Sequence, residues 1–556
     1  VTTATRIYER RWKMLAALSL SMMIIGLDNT IVNVALPTLQ RQFTASASDL
    51  QWIVDAYLLV FAAALLTMGT LGDRFGRKRA LQGGLLLFGG ASAAVIFAGS
   101  VNQLIVLRIL MGVGAALIMP ATLSIITNVF PREERGRAIG VWAGTAAIGI
   151  GLGPLAGGLL LEVFSWSSVF LINVPVAIVA LLLGIKLVPD SRDPAPGAFD
   201  LIGAALSATA LLALVWAVIE APSRGWTSPA VIAGLVAAAL LTTGFIAWER
   251  RVASPMLDLA YFRNPRFSVG SLAISIIFFS LMAAIFALTQ FLQFALGYSA
   301  LQAGATMVPL ALGLMLSAIN SSRLVSRFGT KSVVAGGMLL LALTLSATVL
   351  WTPALSAWVV TSWLFVLGLA MGSVMAPATD AVMGSVPAAK AGVASAMNDV
   401  TRQVGGALGV AIVGSLIGTI YTGRIGDAAA GLPPALRDPV EASIGGANAV
   451  AARLPSASGA HLASAAADAF TTALGYGLLA AAAAALIGAG IVMWRLPARH
   501  GTTIDVGEPL GSPAVAAPGR MSSLSKCPQP QHPQAVCEPL GPRRYNRGTC
   551  SGHREV

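Results

Sequence analysis

The sequence predicts an all-α integral membrane protein with fourteen membrane-crossing helices. Three observations carry the prediction. The 556-residue chain is 56% hydrophobic and only 11% charged, with a mean hydropathy of +0.77. A soluble chain carries about a quarter charged residues, so this one has too few to coat a water-facing surface. Its apolar residues fall in runs of about 20, the length that crosses a bilayer as a helix. The turn from Gly69 to Arg79 sets Arg74, Arg77, Lys78 and Arg79 between two such runs. A turn this short returns the chain on one side of the membrane, and its charge makes that side the cytoplasm.

Taken in order, the first six spans are 14–36, 51–71, 80–99, 103–123, 138–160 and 167–188. They form an N-terminal six-helix bundle over residues 14–188, behind a cytoplasmic tail at 1–13. Two inserted spans, 201–219 and 230–248, lie in the linker 189–266. The last six are 267–291, 303–322, 332–351, 357–379, 396–420 and 471–493. They make a C-terminal six-helix bundle over 267–493, with a long outward loop, rich in Ala, Gly and Pro, at about 421–470 that has room for a short amphipathic piece. Lys and Arg number 21 in the N-terminal tail and inward connections, counting Lys186 at a span end, and 5 in the outward ones. An even span number and this bias put both termini in the cytoplasm, in a multi-pass protein of the plasma (inner) membrane. The net charge of +12 therefore serves orientation in the lipid bilayer, and no nucleic acid partner is implied.

An internal repeat supports two like halves. The segment Leu71 to Lys78 aligns with Leu324 to Lys331, each following the second span of its set. Ser326 stands where the first copy has Asp73, so the second charge network should be weaker. The tail 494–556 is rich in Pro, Ser, Gln and Arg and reads as disordered and cytoplasmic. Its composition departs from the body enough to suit a non-native reading frame. All three cysteines, Cys527, Cys537 and Cys550, lie there, and their spacing fits no metal motif. Arginine outnumbers lysine 30 to 6, a bias that fits a GC-rich, actinobacterial source, and Val1 fits a GTG start. No cleavable signal is evident, because the first apolar run is too long and contains Asp28.

A carboxylate at membrane depth is costly and faces a cavity or a partner. Asp28, within Leu27 to Pro37, reads as a proton or cation carrier, or as a structural acceptor near the outer end. Asp55, flanked by Trp52 and Tyr57, reads as a carrier or as a residue of the interfacial aromatic belt. Arg108 shares a helical face with Gly112 and Ala115, so its guanidinium can lie against a neighbouring backbone; the alternative is an arginine that snorkels to the outer interface. Gly149, Gly153 and Gly157 recur every fourth residue beside Pro154 and Gly158, a face for close helix contact and a bend. Asp399 with Arg402 or Gln403, at i,i+3 or i,i+4 spacing, reads as a structural pair near the cytoplasmic end, and Asp380 as a loop-end charge. No phosphate-binding loop, metal cluster or nucleophile–base pair occurs, so neither ATP-driven pumping, an enzyme nor a cofactor is expected.

Four of these segments resemble signatures of the major facilitator superfamily, and together they resemble its fourteen-span EmrB/QacA-type drug:proton antiporters over residues 13–495. They are the loop Gly69-Thr70-Leu71-Gly72-Asp73-Arg74-Phe75-Gly76-Arg77-Lys78, the Asp28–Pro37 segment, the Arg108–Pro120 segment, and the Gly149–Gly158 run, which is similar to the antiporter motif. The resemblance implies two six-helix bundles around a central cavity, with alternating access by rocking of one against the other. It implies proton-driven export of lipophilic drugs or antibiotics, as self-resistance in a producing organism. By resemblance, Asp28 and Asp55 serve coupling or cation recognition, Arg108 assists proton transfer, and Gly69, Asp73, Arg74, Gly76, Arg77 and Lys78 form a gating loop. The tenth span lacks the acidic residue that some dication exporters have there, which points away from a dication range. An importer would lack the Gly149–Gly158 pattern, and a receptor or scaffold without transport would not need Asp28.

Overall fold

The computed structural model describes residues 3–43, 47–194 and 199–497. The expected disordered tail and its three cysteines lie outside the described residues. Among the described residues there is no strand. The helices are α1 (Thr3–Phe43), α2 (Ala47–Phe75), α3 (Arg77–Ala94), α4 (Val101–Val129), α5 (Arg132–Val163), α6 (Ser168–Leu171), α7 (Asn173–Leu187), α8 (Leu201–Arg224), α9 (Pro229–Glu249) and α10 (Pro265–Gln290). They continue with α11 (Ala300–Thr306), α12 (Val308–Ser346), α13 (Ala357–Met383), α14 (Ala391–Ala429), α15 (Pro434–Ala442), α16 (Ile444–Ala451) and α17 (Ser456–Arg495).

Among the described residues, twelve helices are long and apolar enough to cross a membrane, and α5, bent by 41° between Ile150 and Leu155, makes a thirteenth. One of the twelve, Gln302–Leu350, is two helices joined at Gly329. Gly329 has φ +80°, a conformation open to glycine and strained for other residues. Divided there, the helices are consistent with the fourteen read from the sequence. The outward faces are apolar, with Phe97, Leu240, Leu350 and Trp358 all strongly exposed, as a lipid-facing surface requires.

Packing repeats between the two sets of six. In the first, α1 lies on α5 and α7, α4 on α2 and α3, and α3 on α7. In the second, α10 lies on α14 and α17, α13 on both parts of α12, and α12 on α17. The sets meet along two seams, α2 with α14 and α5 with α12. The inserted α8 runs along the first of these, touching both α2 and α14. Leu59 and Ala62 of α2 pack with Val215, Trp216 and Ile219. Farther along, Leu66 packs with Ala204, Phe245, Met256, Leu257, Val393 and Ala396. The Trp226 indole donates to Ser415 Oγ of α14 at 2.9 Å.

The long outward loop is largely helical, contrary to expectation. Helix α14 continues to Ala429 and α17 begins at Ser456, leaving α15 and α16 between them. Alanine-rich ends extend a helix past its apolar window, because alanine has the best helix propensity. Val440, Ile444, Ala447 and Val450 then bury the short helices.

Candidate functional site

Asp28 is wholly buried on α1 and is answered on both oxygens. Arg108 of α4 donates to Oδ2 at 2.5 Å, and Asn173 of α7 donates to Oδ1 at 3.1 Å. Arg108 Nε donates to the Ile53 carbonyl of α2 at 2.9 Å, and its guanidinium lies 4.3 Å from the Tyr57 ring centroid. Gly112 makes this approach possible: a Cβ there would stand 2.8 Å from the Tyr57 carbonyl. Four helices thus converge on one ion pair, and Arg108, 1% exposed, does not snorkel. Charge-assisted bonds of this kind are short and strong, and they fix the rotamers of the groups they join. Asn173 and Tyr57 escape sequence reasoning, although an asparagine in an apolar run is a signal that could have found the first. Asp55 is half-buried on α2, about 200° around the helix from both Ile53 and Tyr57, so it leaves α2 on the side away from Arg108.

The glycine face of α5 meets α1. A Cβ on Gly149 would stand 2.5 Å from the Met23 carbonyl, and one on Gly153 2.9 Å from the Leu27 carbonyl. Gly157 meets Ile31, whereas Gly158 faces open space. Pro154 has no N–H, so the Ile150 carbonyl loses its donor from the next turn. The Thr30 hydroxyl of α1 supplies one at 2.9 Å. The second set uses the same device, with Gly405 and Gly409 of α14 close against Ser275 and Phe279 of α10.

The charged turn fastens the two sets together. Gly76, at φ +112°, separates α2 from α3. The Asp73 carboxylate accepts from the N–H groups of Gly392 at 2.9 Å and Val393 at 3.1 Å. These are orphan donors of the first turn of α14, whose N-cap, Lys390, provides no side-chain cap. Asp73 therefore caps a helix of the opposite set, where the helix dipole favours an anion. Arg77 Nε donates to Asp73 at 2.9 Å, and its Nη2 to the Ala388 and Ala389 carbonyls at 2.7 and 3.1 Å. Asp193 joins by accepting Lys390 Nζ at 3.1 Å. Gly69 allows the contact, since a Cβ there would lie 2.6 Å from the Gly392 carbonyl. Lys78 binds the Ile185 carbonyl at 2.9 Å, and Arg74 lies over Phe75 at 5.6 Å. The second copy keeps the backbone without the latch: Gly329 also has positive φ, but among the described residues Ser326 donates to the Arg323 carbonyl of its own helix.

Asp73→Asn should weaken this latch by about 2 kcal/mol, the worth of a hydrogen bond to a charged group. A cysteine at Ala396 should then react faster with a maleimide than in the parent chain. An unchanged labelling rate would mean that Asp73 does not hold the sets together. Asp399 and Arg402 lie deeper on α14, both buried and 3.7 Å apart.

The family profile of the Major Facilitator Superfamily matches residues 18–410. The multidrug efflux pump LfrA of Mycolicibacterium smegmatis is 39% identical over 500 residues, 87% of this chain and 97% of its own length. The tetracenomycin C resistance and export protein of Streptomyces glaucescens is 35% identical, covering 89% of this chain and 93% of its own. The methyl viologen resistance protein SmvA of Salmonella typhimurium is 36% identical over 75% of this chain and 84% of its own. Among solved structures, an inward-facing bacterial homolog of the human lysosomal transporter Spinster superposes with a TM-score of 0.51 at 20% identity, covering 89% of this chain and 99% of its own. With two packed sets of six helices and a matching profile over most of that body, the chain belongs to the major facilitator superfamily, as an integral membrane protein similar to its multidrug efflux and antibiotic resistance members.

Proposed function

We propose that the protein is a proton-driven antiporter that exports lipophilic drugs or antibiotics across the plasma membrane and so confers resistance. The observation that carries this reading is likeness, along nearly the whole chain, to proteins named for multidrug efflux and for tetracenomycin C resistance and export. Both termini lie in the cytoplasm, on the side of the Asp73 latch, and no reaction is catalysed. Asp28 is the coupling carboxylate of the N-terminal set. Protonation neutralises it, frees Arg108 from its counter-charge and loosens the four-helix junction around Asn173 and Ile53. Loss of the proton restores the ion pair. Self-resistance in an antibiotic-producing actinobacterium is the natural setting for such a chain.

The test is accumulation of tetracenomycin C, puromycin and methyl viologen in cells expressing the chain, with and without a protonophore. Lower accumulation that the protonophore abolishes is the expected result. The neutral aromatic antibiotic should be exported at least tenfold better than methyl viologen, because 303–322 carries no acidic residue. Higher accumulation in expressing cells would instead mark an importer.

A further inference from the structure

Six side-chain polar atoms on one face of α14 are buried without a hydrogen bond. They are Ser395 Oγ, both amide atoms of Asn398, both carboxylate oxygens of Asp399 and Nε of Arg402. Residues 395, 398, 399 and 402 follow i, i+3, i+4, i+7 spacing and so form one stripe along the helix. The stripe reaches into the boundary between the two sets. The Arg402 guanidinium lies 5.1 Å from the Trp142 ring of α5 and 5.3 Å from the Phe278 ring of α10, and reaches Thr379 Oγ1 of α13 at 3.4 Å. Its approach to Asp399, 3.7 Å, is too long for a hydrogen bond.

Asp28 and Asp399 are therefore opposites in one conformation. Both are wholly buried. Asp28 has an arginine at hydrogen-bond distance and an amide donor from another helix; Asp399 has no arginine that close, and the amide nearest it is that of its chain neighbour Asn398. Among the described residues, Arg402 is the charged group that pairs with Asp399. The pair's neighbours on α5, α10 and α13 are the uncharged Trp142, Phe278 and Thr379. On α2, Asp73 meets α14 at Gly392, two turns nearer its N-terminus. Burial makes the charged carboxylate costly, and a guanidinium held at 3.7 Å rather than at hydrogen-bond distance offsets only part of that cost. A stripe of unanswered donors and acceptors suits a surface that is dry in one conformation and wet in another. This stripe begins within one turn of Val393, where Asp73 holds the latch, so water admitted by an opening latch reaches it first.

We propose that Asp399 is a second proton-carrying residue, belonging to the C-terminal set, which holds its proton while the latch is closed and releases it when the sets part. The carboxyl O–H bond breaks and the proton passes to water entering from the latch side. The carboxylate left behind draws Arg402 toward itself and off Trp142, which removes a contact between the two sets. The proposal rests on the proton-driven reading above and assigns it a second site.

The experiment uses the full chain in proteoliposomes and whichever of tetracenomycin C, puromycin and methyl viologen the wild type exchanges. Asp399→Asn, which fixes a neutral isostere of the protonated acid, should keep substrate counterflow within twofold of wild type and lose at least tenfold in transport driven by a pH gradient. Asp399→Glu should recover at least a third of the driven transport. Driven transport by Asp399→Asn at the wild-type rate overturns the proposal, as does loss of its counterflow, which a merely structural residue would show. Counterflow by the wild type with no response to the pH gradient would overturn the proton-driven reading itself, and this proposal with it.

Discussion

Asp28→Asn is expected to abolish proton-driven export while the protein still reaches the membrane. Asparagine keeps the shape that Arg108 and Asn173 grip, but it can neither balance the guanidinium charge nor take up a proton. Arg108 retains the Ile53 carbonyl and the Tyr57 ring, which limits the structural damage. Arg108→Ala is harsher. It leaves a carboxylate in the apolar interior with one amide donor, and breaking a buried pair in this way costs about 3–5 kcal/mol. Thermal unfolding in detergent should show that drop for Arg108→Ala and a smaller one for Asp28→Asn. Gradient-dependent export that survives in Asp28→Asn would sink Asp28 as an essential carrier.

The second large effect is expected from Gly153→Leu. The new Cβ would fall on the Thr30 hydroxyl and within 2.9 Å of the Leu27 carbonyl, so α1 and α5 must separate. Overpacking of this kind costs about 1–3 kcal/mol. Separation also takes the Thr30 hydroxyl away from Ile150, leaving a carbonyl that Pro154 cannot serve. Transport should fall at least tenfold, since α1 carries Asp28 and a shift of one turn's contacts displaces it from Arg108. Gly158→Leu, facing open space, should be nearly silent and serves as the control. Equal losses in both variants would show that the motif does not act through the α1–α5 contact.

The sequence made the helices, the sharp turns and the close-packing glycines legible because each leaves a local mark: an apolar run, a charged Gly-containing turn, a four-residue spacing. The pairings left no such mark. Asp28 and Arg108 are 80 residues apart, and Asp73 and Gly392 are 319 apart. Both contacts are made by folding, and Gly392 contributes only a backbone N–H, which any residue but proline carries. Asn173 and Trp142 carry no specific mark, because a single polar or aromatic residue in an apolar run is compatible with many roles. The helicity of the outward connection is hidden for a different reason. Alanine lengthens helices without raising hydropathy much, so the apolar windows ended well before the helices did.

The inserted hairpin makes the two flanks of the molecule unequal toward the bilayer. A twelve-helix body with two equivalent seams would offer a dissolved compound two side doors between the sets. Here α8 roofs the α2–α14 boundary from Val215 to Ala204, while it lies along neither α5 nor α12. The opposite boundary, where Gly140 and Gly144 of α5 face Ala318 and Met315 of α12, has no such cover from the inserted pair. The extra pair of helices gives an otherwise twofold-like machine a front and a back.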